Sequence, residues 1–325
     1  MPGRRAPHRG ARHRRRERGF TFLVVIWALS VLVVLAMVFG RSTSAHLKAT
    51  RNAVDNARAE ALADAGVELA VLDLARGRTG AGARFSRDGR PLGCSVAGGE
   101  RLVIAVEDEV GKVDINMAEA ELIEAALIAA GLEARAADRL AQTILDWRDG
   151  DDQRRADGAE AGDYREAGRS GPKNRLFDTI EEVEQVLGAP IGLAEAVRPY
   201  ATIYSGQQTL DAGRAPPRLA AALTTRGGMG MELETRARQR DRAGSAMAAA
   251  GAPAAVAGAA GGRAFRIVAE AHAGHNAVFV REAIVELVAS RPDGHLIRRW
   301  RRGARLTGEA AAADAALEEA DARPC

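Results

Sequence analysis

Apolar and polar positions divide the chain into stretches of different period. Residues 20–40 carry no charge. Such a run holds about 20 residues, which at ~1.5 Å per residue matches a hydrocarbon core of ~30 Å. After Arg41 the charges return. Leu47, Val54, Ala61, Ala65, Leu69 and Leu72 then recur at helical spacing, with Arg51, Asp55, Arg58, Glu60 and Glu68 on other faces. One helix is expected from residue 20 to about residue 76, roughly 85 Å long, ended by Gly77, Gly80 and Gly82. The period then shortens to two. A first strand is expected near residues 84–85 and the clearest at 101–106, where Leu102, Ile104 and Val106 alternate with Arg101, Val103 and Ala105.

The middle of the chain reads as all α. Asn116 is placed to cap a helix over 117–130, with Glu119 three residues on and Leu122, Ile123, Ala126 and Leu127 as its apolar stripe. Gly131 ends it. Further helices are expected at 134–147, at 179–187 before Gly188-Ala189-Pro190, at 193–200 and at 217–225. Residues 243–262 are Ala/Gly-rich and read as a flexible linker. Strands return at 264–272, 277–288 and 297–300, and the Ala/Glu/Asp tail from Gly308 reads as disordered or a frayed helix.

Charge places the long helix. Arg4, Arg5, Arg9, Arg12, Arg14, Arg15, Arg16 and Arg18 precede it, so the positive-inside rule keeps that end cytoplasmic and sends the body across the membrane. A cleaved secretory signal needs a shorter apolar region with an A-x-A-like site. A twin-arginine address at Arg15-Arg16 is spoiled by Glu17-Arg18-Gly19. A plain signal anchor satisfies the same physics. Gly19-Phe20, a glycine before phenylalanine at the head of an unbroken apolar helix, looks instead like a prepilin processing site.

The remaining composition narrows the function classes. With 325 residues, 47% of them hydrophobic, the chain can fill one or two cores. The leader through Gly19 holds eight Arg and one Glu; subtracting that +7 from the +3 of the whole chain leaves −4 for the rest. A mildly acidic body argues against general affinity for nucleic acid. The basic runs Arg236, Arg238, Arg240, Arg242 and Arg298, Arg299, Arg301, Arg302, Arg305 read as solvated surface. Helix pairs joined at Gly131 and Gly188 are similar to helix-hairpin-helix or SAM-like units. They lack the G-x-G turn that presents amides to phosphate, so packing is the favoured role. His8, His13, His46, His272, His275 and His295 are scattered, and no H-E-x-x-H, G-x-S-x-G or cysteine cluster supports catalysis. Cys94 and Cys325 leave a disulfide and two free thiols both open.

Carboxylates gather between residues 146 and 163: Asp146, Asp149, Asp151, Asp152, Asp157, Glu160 and Asp163, with Gly150 and Gly158 allowing turns. Ca²⁺ takes about six to eight oxygen ligands, which closely spaced carboxylates on a loop supply. It is not an EF-hand. Counting from Asp149, the fifth position is Gln153 and the sixth Arg154, where glycine is needed. The plain reading is an acidic surface loop balanced by Arg148, Arg154 and Arg155.

A family resemblance changes that weighing. Asp108-Glu109-Val110-Gly111-Lys112-Val113-Asp114-Ile115-Asn116, Leu145-Asp146-Trp147-Arg148-Asp149-Gly150-Asp151-Asp152, Gly158-Ala159-Glu160 with Tyr164, and Pro172-Lys173-Asn174 ahead of Glu181-Glu182-Val183 together closely resemble the minor pseudopilin K of type II secretion systems. The resemblance spans residue 19 to about residue 223 and is looser beyond. It implies an α+β fold: a pseudopilin fold of long N-terminal helix and small antiparallel sheet, with a large all-α inserted domain of SAM-like or helix-hairpin-helix-like units. The expected organisation is a leader at 1–19, a transmembrane helix at 20–40, and the first pseudopilin segment at 41–108. An insert at 109–235, a linker at 236–262, C-terminal strands at 263–302 and a tail at 303–325 follow.

The resemblance also implies structural Ca²⁺ on the acidic loop, the matching positions being Asp149, Asp151, Asp152, Glu160 and Asp163. It implies cleavage by the prepilin peptidase between Gly19 and Phe20, N-methylation of Phe20, and a complex with minor pseudopilins I and J at the pseudopilus tip. The body is then periplasmic on a single-pass inner-membrane anchor, and the protein is not an enzyme. At the fifth mature position, where other pilins carry glutamate, the chain has Val24. A carboxylate in lipid is costly without a partner, and a subunit with none ahead of it has no use for one. The rival reading is a membrane-anchored periplasmic helix-hairpin-helix protein that handles DNA.

Overall fold

The computed structural model describes residues 17–76, 83–96, 99–225, 263–274, 276–288, 290–306 and 324–325. Contacts divide the chain into two units, residues 1–58 and 59–325. Helix α1 is Glu17–Ala75. Within the first unit, Phe20–Phe39 has a mean hydropathy of 3.0 and none of it is buried, so it is long and apolar enough to cross a membrane. The Ser30 hydroxyl donates to the Ile26 carbonyl at 2.8 Å, which satisfies it inside an apolar helix. Gly77, Gly80 and Gly82, the expected helix terminators, lie outside the described residues, as do the linker 243–262, the run Arg236–Arg242 and residues 307–323 of the tail.

The second unit holds a five-stranded antiparallel sheet of β1 (Leu92–Val96), β2 (Glu100–Asp108), β5 (Arg263–Ala273), β6 (Ala277–Leu287) and β7 (His295–Arg302), in that spatial order. Leu102, Ile104 and Val106 face the core as their alternation requires, joined there by Phe265, Ile267, Ala269 and Val285. The expected strand at 84–85 is a bend. The Arg84 and Phe85 amides donate to the Asp73 carboxylate at 3.1 and 3.3 Å, which removes them from any ladder.

The helix face that covers this sheet is not the expected one. Ala59, Ala63, Val67, Ala70 and Leu74 are buried, whereas Leu47, Val54 and Leu72 are exposed. Small residues win because they let backbone approach backbone. A Cβ on Gly66 would lie 3.0 Å from both the Ala269 Cβ and a Leu102 methyl. Arg281 pins the same segment: its guanidinium lies 4.9 Å from the Phe279 ring centroid and 5.1 Å from that of Trp300, and it pairs with Glu60 at 2.9 Å and with Asp64.

Between β2 and β5 the chain forms a second core. A 3₁₀ turn (Glu109–Gly111) leads to β3 (Val113–Asp114), α2 (Ala120–Ala129), α3 (Ala134–Arg148) and α4 (Ala161–Glu166). A 3₁₀ segment (Ile180–Gln185), α5 (Leu193–Val197), β4 (Ala201–Thr202) and α6 (Pro217–Thr225) complete it. Ile115, Ile123, Leu127, Ile144, Leu193 and Leu219 fill the interior. This region is not all α, because β3 and β4 pair in parallel. Nor does Asn116 cap α2. Its amide nitrogen donates to the Phe177 carbonyl at 2.9 Å and its oxygen accepts from the Phe177 amide at 2.7 Å, a two-way clasp across 61 residues that holds it away from the helix start. Helix α2 therefore begins three residues later than the pattern suggests.

Charged groups fasten this core to the sheet. Asp108, fully buried at the end of β2, accepts from Arg214 of the insert and Arg263 of β5. Lys112 lies between Glu107 and Glu109, 2.8 Å from each. The C-terminal arginines are not merely solvated: Arg298 pairs with Glu286, Arg301 with Glu282, and Arg299 reaches Glu181 of the insert, which also takes Arg198 at 3.1 Å. Partial burial works to raise the Glu181 pKa. The Arg299 and Arg198 guanidiniums outweigh it and bring the carboxyl from 4.5 down to about 2. A depressed carboxylate adds stability above its unfolded pKa and loses it as pH falls through the folded one. The Tm gap between wild type and Glu181→Gln is therefore expected to stay constant above about pH 5 and to close by about pH 2. Melts across that range check it, and an undiminished gap at the acid end contradicts the pairing.

Candidate functional site

Helix α3 carries Asp146 in its last turn and Asp149 at its C-cap, and Glu160 is the N-cap of α4, so the loop between them folds back over its own carboxylates. Asp146 is fully buried. It accepts from the Arg155 backbone amide at 3.2 Å and from the Arg155 guanidinium at 2.9 Å, and the same guanidinium reaches Asp149. Glycine is required at 158, where a Cβ would meet the Asp146 Oδ2 at 2.0 Å. Beneath the loop Trp147 packs on Tyr164 and Phe177, with ring centroids 5.8 and 6.2 Å apart. The Tyr164 hydroxyl accepts from the Leu187 amide at 2.9 Å and ties the loop floor to the next segment.

Of the five expected ligand positions, Asp149 is taken through one oxygen by Arg155, and two more are engaged within the loop. Asp151 accepts from the Gln153 amide at 2.8 Å, an Asx-type turn. Asp163 accepts from the Glu160 amide at 2.9 Å and pairs with Arg154 at 3.0 Å. Both Glu160 carboxylate oxygens and the Asp149 Oδ1 are buried without a hydrogen-bond partner, and so is the Asn174 Oδ1. Asp152 approaches Asn174, whose amide nitrogen lies 3.5 Å from it. Burial, with Asp146, Asp149 and Asp152 nearby, raises the Glu160 pKa. Unsatisfied buried carboxylate and carbonyl oxygens are the type of donor that a hard cation takes. Among the described residues no three His, Cys, Asp or Glu side chains converge closely enough to hold an ion as they stand. The Arg155 guanidinium bridges Asp146 and Asp149.

Two members of this arrangement fall outside the expected ligand set. Asn174 adopts a left-handed φ of 52° that aims it at the loop, and its amide donates to the Trp147 carbonyl at 3.0 Å. The Pro172-Lys173-Asn174 motif was its signal. Asp146 is the buried anchor rather than a rim carboxylate. Arg148 feels the charge of Asp149 but donates its guanidinium to the Ile115 and Ala118 carbonyls. Gly19 lies in α1 and Phe20 is exposed, opening the apolar run.

Residues 102–206 match the family model of type II secretion system protein K. No protein of curated function matches the chain. Among solved structures it is similar to a chain in the crystal structure of the GspK-GspI-GspJ complex of the type 2 secretion system of enterotoxigenic Escherichia coli. Identity is 14%, with 81% of this chain and 99% of that chain covered and a TM-score of 0.46. The matched residues take in all four sequence motifs, the acidic loop and the α2–α5 core, and no finding supports the DNA-handling alternative. Residues 102–206 therefore carry a domain similar to that of type II secretion system protein K.

Proposed function

We propose that the chain is a minor pseudopilin of a type II secretion system, cut between Gly19 and Phe20 by the prepilin peptidase, methylated on Phe20, and held in the inner membrane with its body in the periplasm. There it caps the pseudopilus tip together with minor pseudopilins I and J. The observation that carries this reading is the insert itself: residues 109–225, which follow β2 and precede β5, add a second core to the helix-and-sheet unit. The apolar positions that α1 leaves uncovered support it. Leu47 and Val54 in the first unit and Leu72 in the second are open to neighbouring subunits. Full-length protein in detergent should co-purify with pseudopilins I and J in fixed stoichiometry. Recovery of the chain alone, with I and J present and folded, contradicts the assembly.

We further propose that Ca²⁺ is held by Glu160, Asp149, Asp152 and the Asn174 carbonyl, with Asp151 and Asp163 shaping the loop. When bound, the ion supplies charge neutralisation to carboxylates that burial leaves unsatisfied. Saturating Ca²⁺ over a chelator is expected to raise the Tm of the full chain by about 5–10 °C, a size that follows from a ligand near 100-fold above its Kd. Glu160→Gln is expected to abolish most of that response, and a chelator-insensitive Tm in the wild type retires the metal.

A further inference from the structure

The two edges of the sheet are managed differently. β7 is lined with arginines, which discourages another strand from pairing with it. β1 has five residues, and its outer edge meets Pro324 and Cys325. Ser95 bridges Pro324 in parallel, and the Cys325 amide donates to the Ser95 carbonyl at 2.9 Å. Arg84 holds the same two residues from the other side: its guanidinium donates to the Pro324 carbonyl at 2.8 Å and to that of Cys325. A disulfide joins Cys325 to Cys94, which is itself buried in β1.

Pairing of this size at a sheet edge opens at little cost unless something else holds it. The covalent link makes the difference. We infer that the outer edge of β1 is a strand-accepting site, occupied in the oxidised protein by its own Pro324–Cys325 segment, and that the Cys94–Cys325 disulfide is the catch that keeps it closed. Closing the catch takes two electrons and two protons from the thiols. The disulfide of a thiol oxidoreductase accepts them by exchange and leaves as a dithiol. Before oxidation the edge at Ser95 is open; afterwards Pro324–Cys325 lies on it.

Hydrogen exchange of the full chain in detergent micelles tests this. Oxidised wild type is compared with wild type reduced by dithiothreitol, and with Cys325→Ser, which spares the buried Cys94. Exchange in the peptide covering residues 92–96 is expected to accelerate about tenfold or more on reduction and in the variant, while the central strands β5 and β6 keep their rates. Protection that returns as protein concentration rises means a second copy pairs with the vacated edge, which also supports a strand-accepting site. Unchanged exchange at 92–96 overturns the inference. An equal rise in β5 and β6 overturns it too, because the disulfide then stabilises the whole fold rather than one edge.

Discussion

Replacing Tyr164 with alanine is expected to cost about 3–5 kcal/mol of unfolding free energy, the range for removing a fully buried aromatic ring. The ring has no solvent exposure, it packs on Trp147, and the Gly171 backbone lies so close that a Cβ there would come within 2.8 Å of its edge. Such packing leaves little room to collapse into the cavity. Tyr164→Phe separates the two contributions of the side chain: it keeps the ring but strands the Leu187 amide, an expected loss of about 1–3 kcal/mol. Denaturant unfolding of both variants decides the matter, and near-equal losses show that the ring is not the principal contributor.

Asp146→Ala should also be costly, about 1–3 kcal/mol, as expected when the acceptor of a buried amide and of a half-exposed guanidinium is removed. The Arg155 amide and guanidinium lose their acceptor, and the space against Gly158 empties. Because both groups belong to one network, the effects are not additive. Pairing Asp146→Ala with Arg155→Met should recover part of the loss. A double variant that is worse than the sum of the singles means that Asp146 does more than hold Arg155. Calcium sharpens the comparison, since a loop that has lost its anchor should also lose most of its Ca²⁺-dependent rise in Tm.

Long-period features were legible in the sequence and close packing was not. The unbroken apolar run, the strand around Leu102–Ile104–Val106 and the C-terminal strands follow from spacing alone, because each spans several repeats of one period. The face of α1 that meets the sheet did not follow. Hydrophobicity picks Leu47, Val54 and Leu72, whereas the sheet selects Ala59, Ala63, Gly66 and Ala70 by size. Asn116 misled for a related reason: its capping geometry is local, but its partner, Phe177, is 61 residues away. In the same way the arginines of β7 look like surface charge until Glu181, Glu282 and Glu286 are brought beside them. At the acidic loop, residue type pointed to a cation. Which oxygens remain unsatisfied depends on Arg154, Arg155 and the Gln153 amide, none of which marks itself in the sequence. Asn174 was legible only as part of a motif, since its backbone must turn left-handed before its oxygen faces the loop.

Intact-mass and N-terminal sequencing of the protein isolated from cells with an active prepilin peptidase tests the central claim most directly. The account predicts a polypeptide that starts at Phe20 with one methyl group on its amine. Protein that still carries its arginine leader through Gly19, in those same cells, contradicts it.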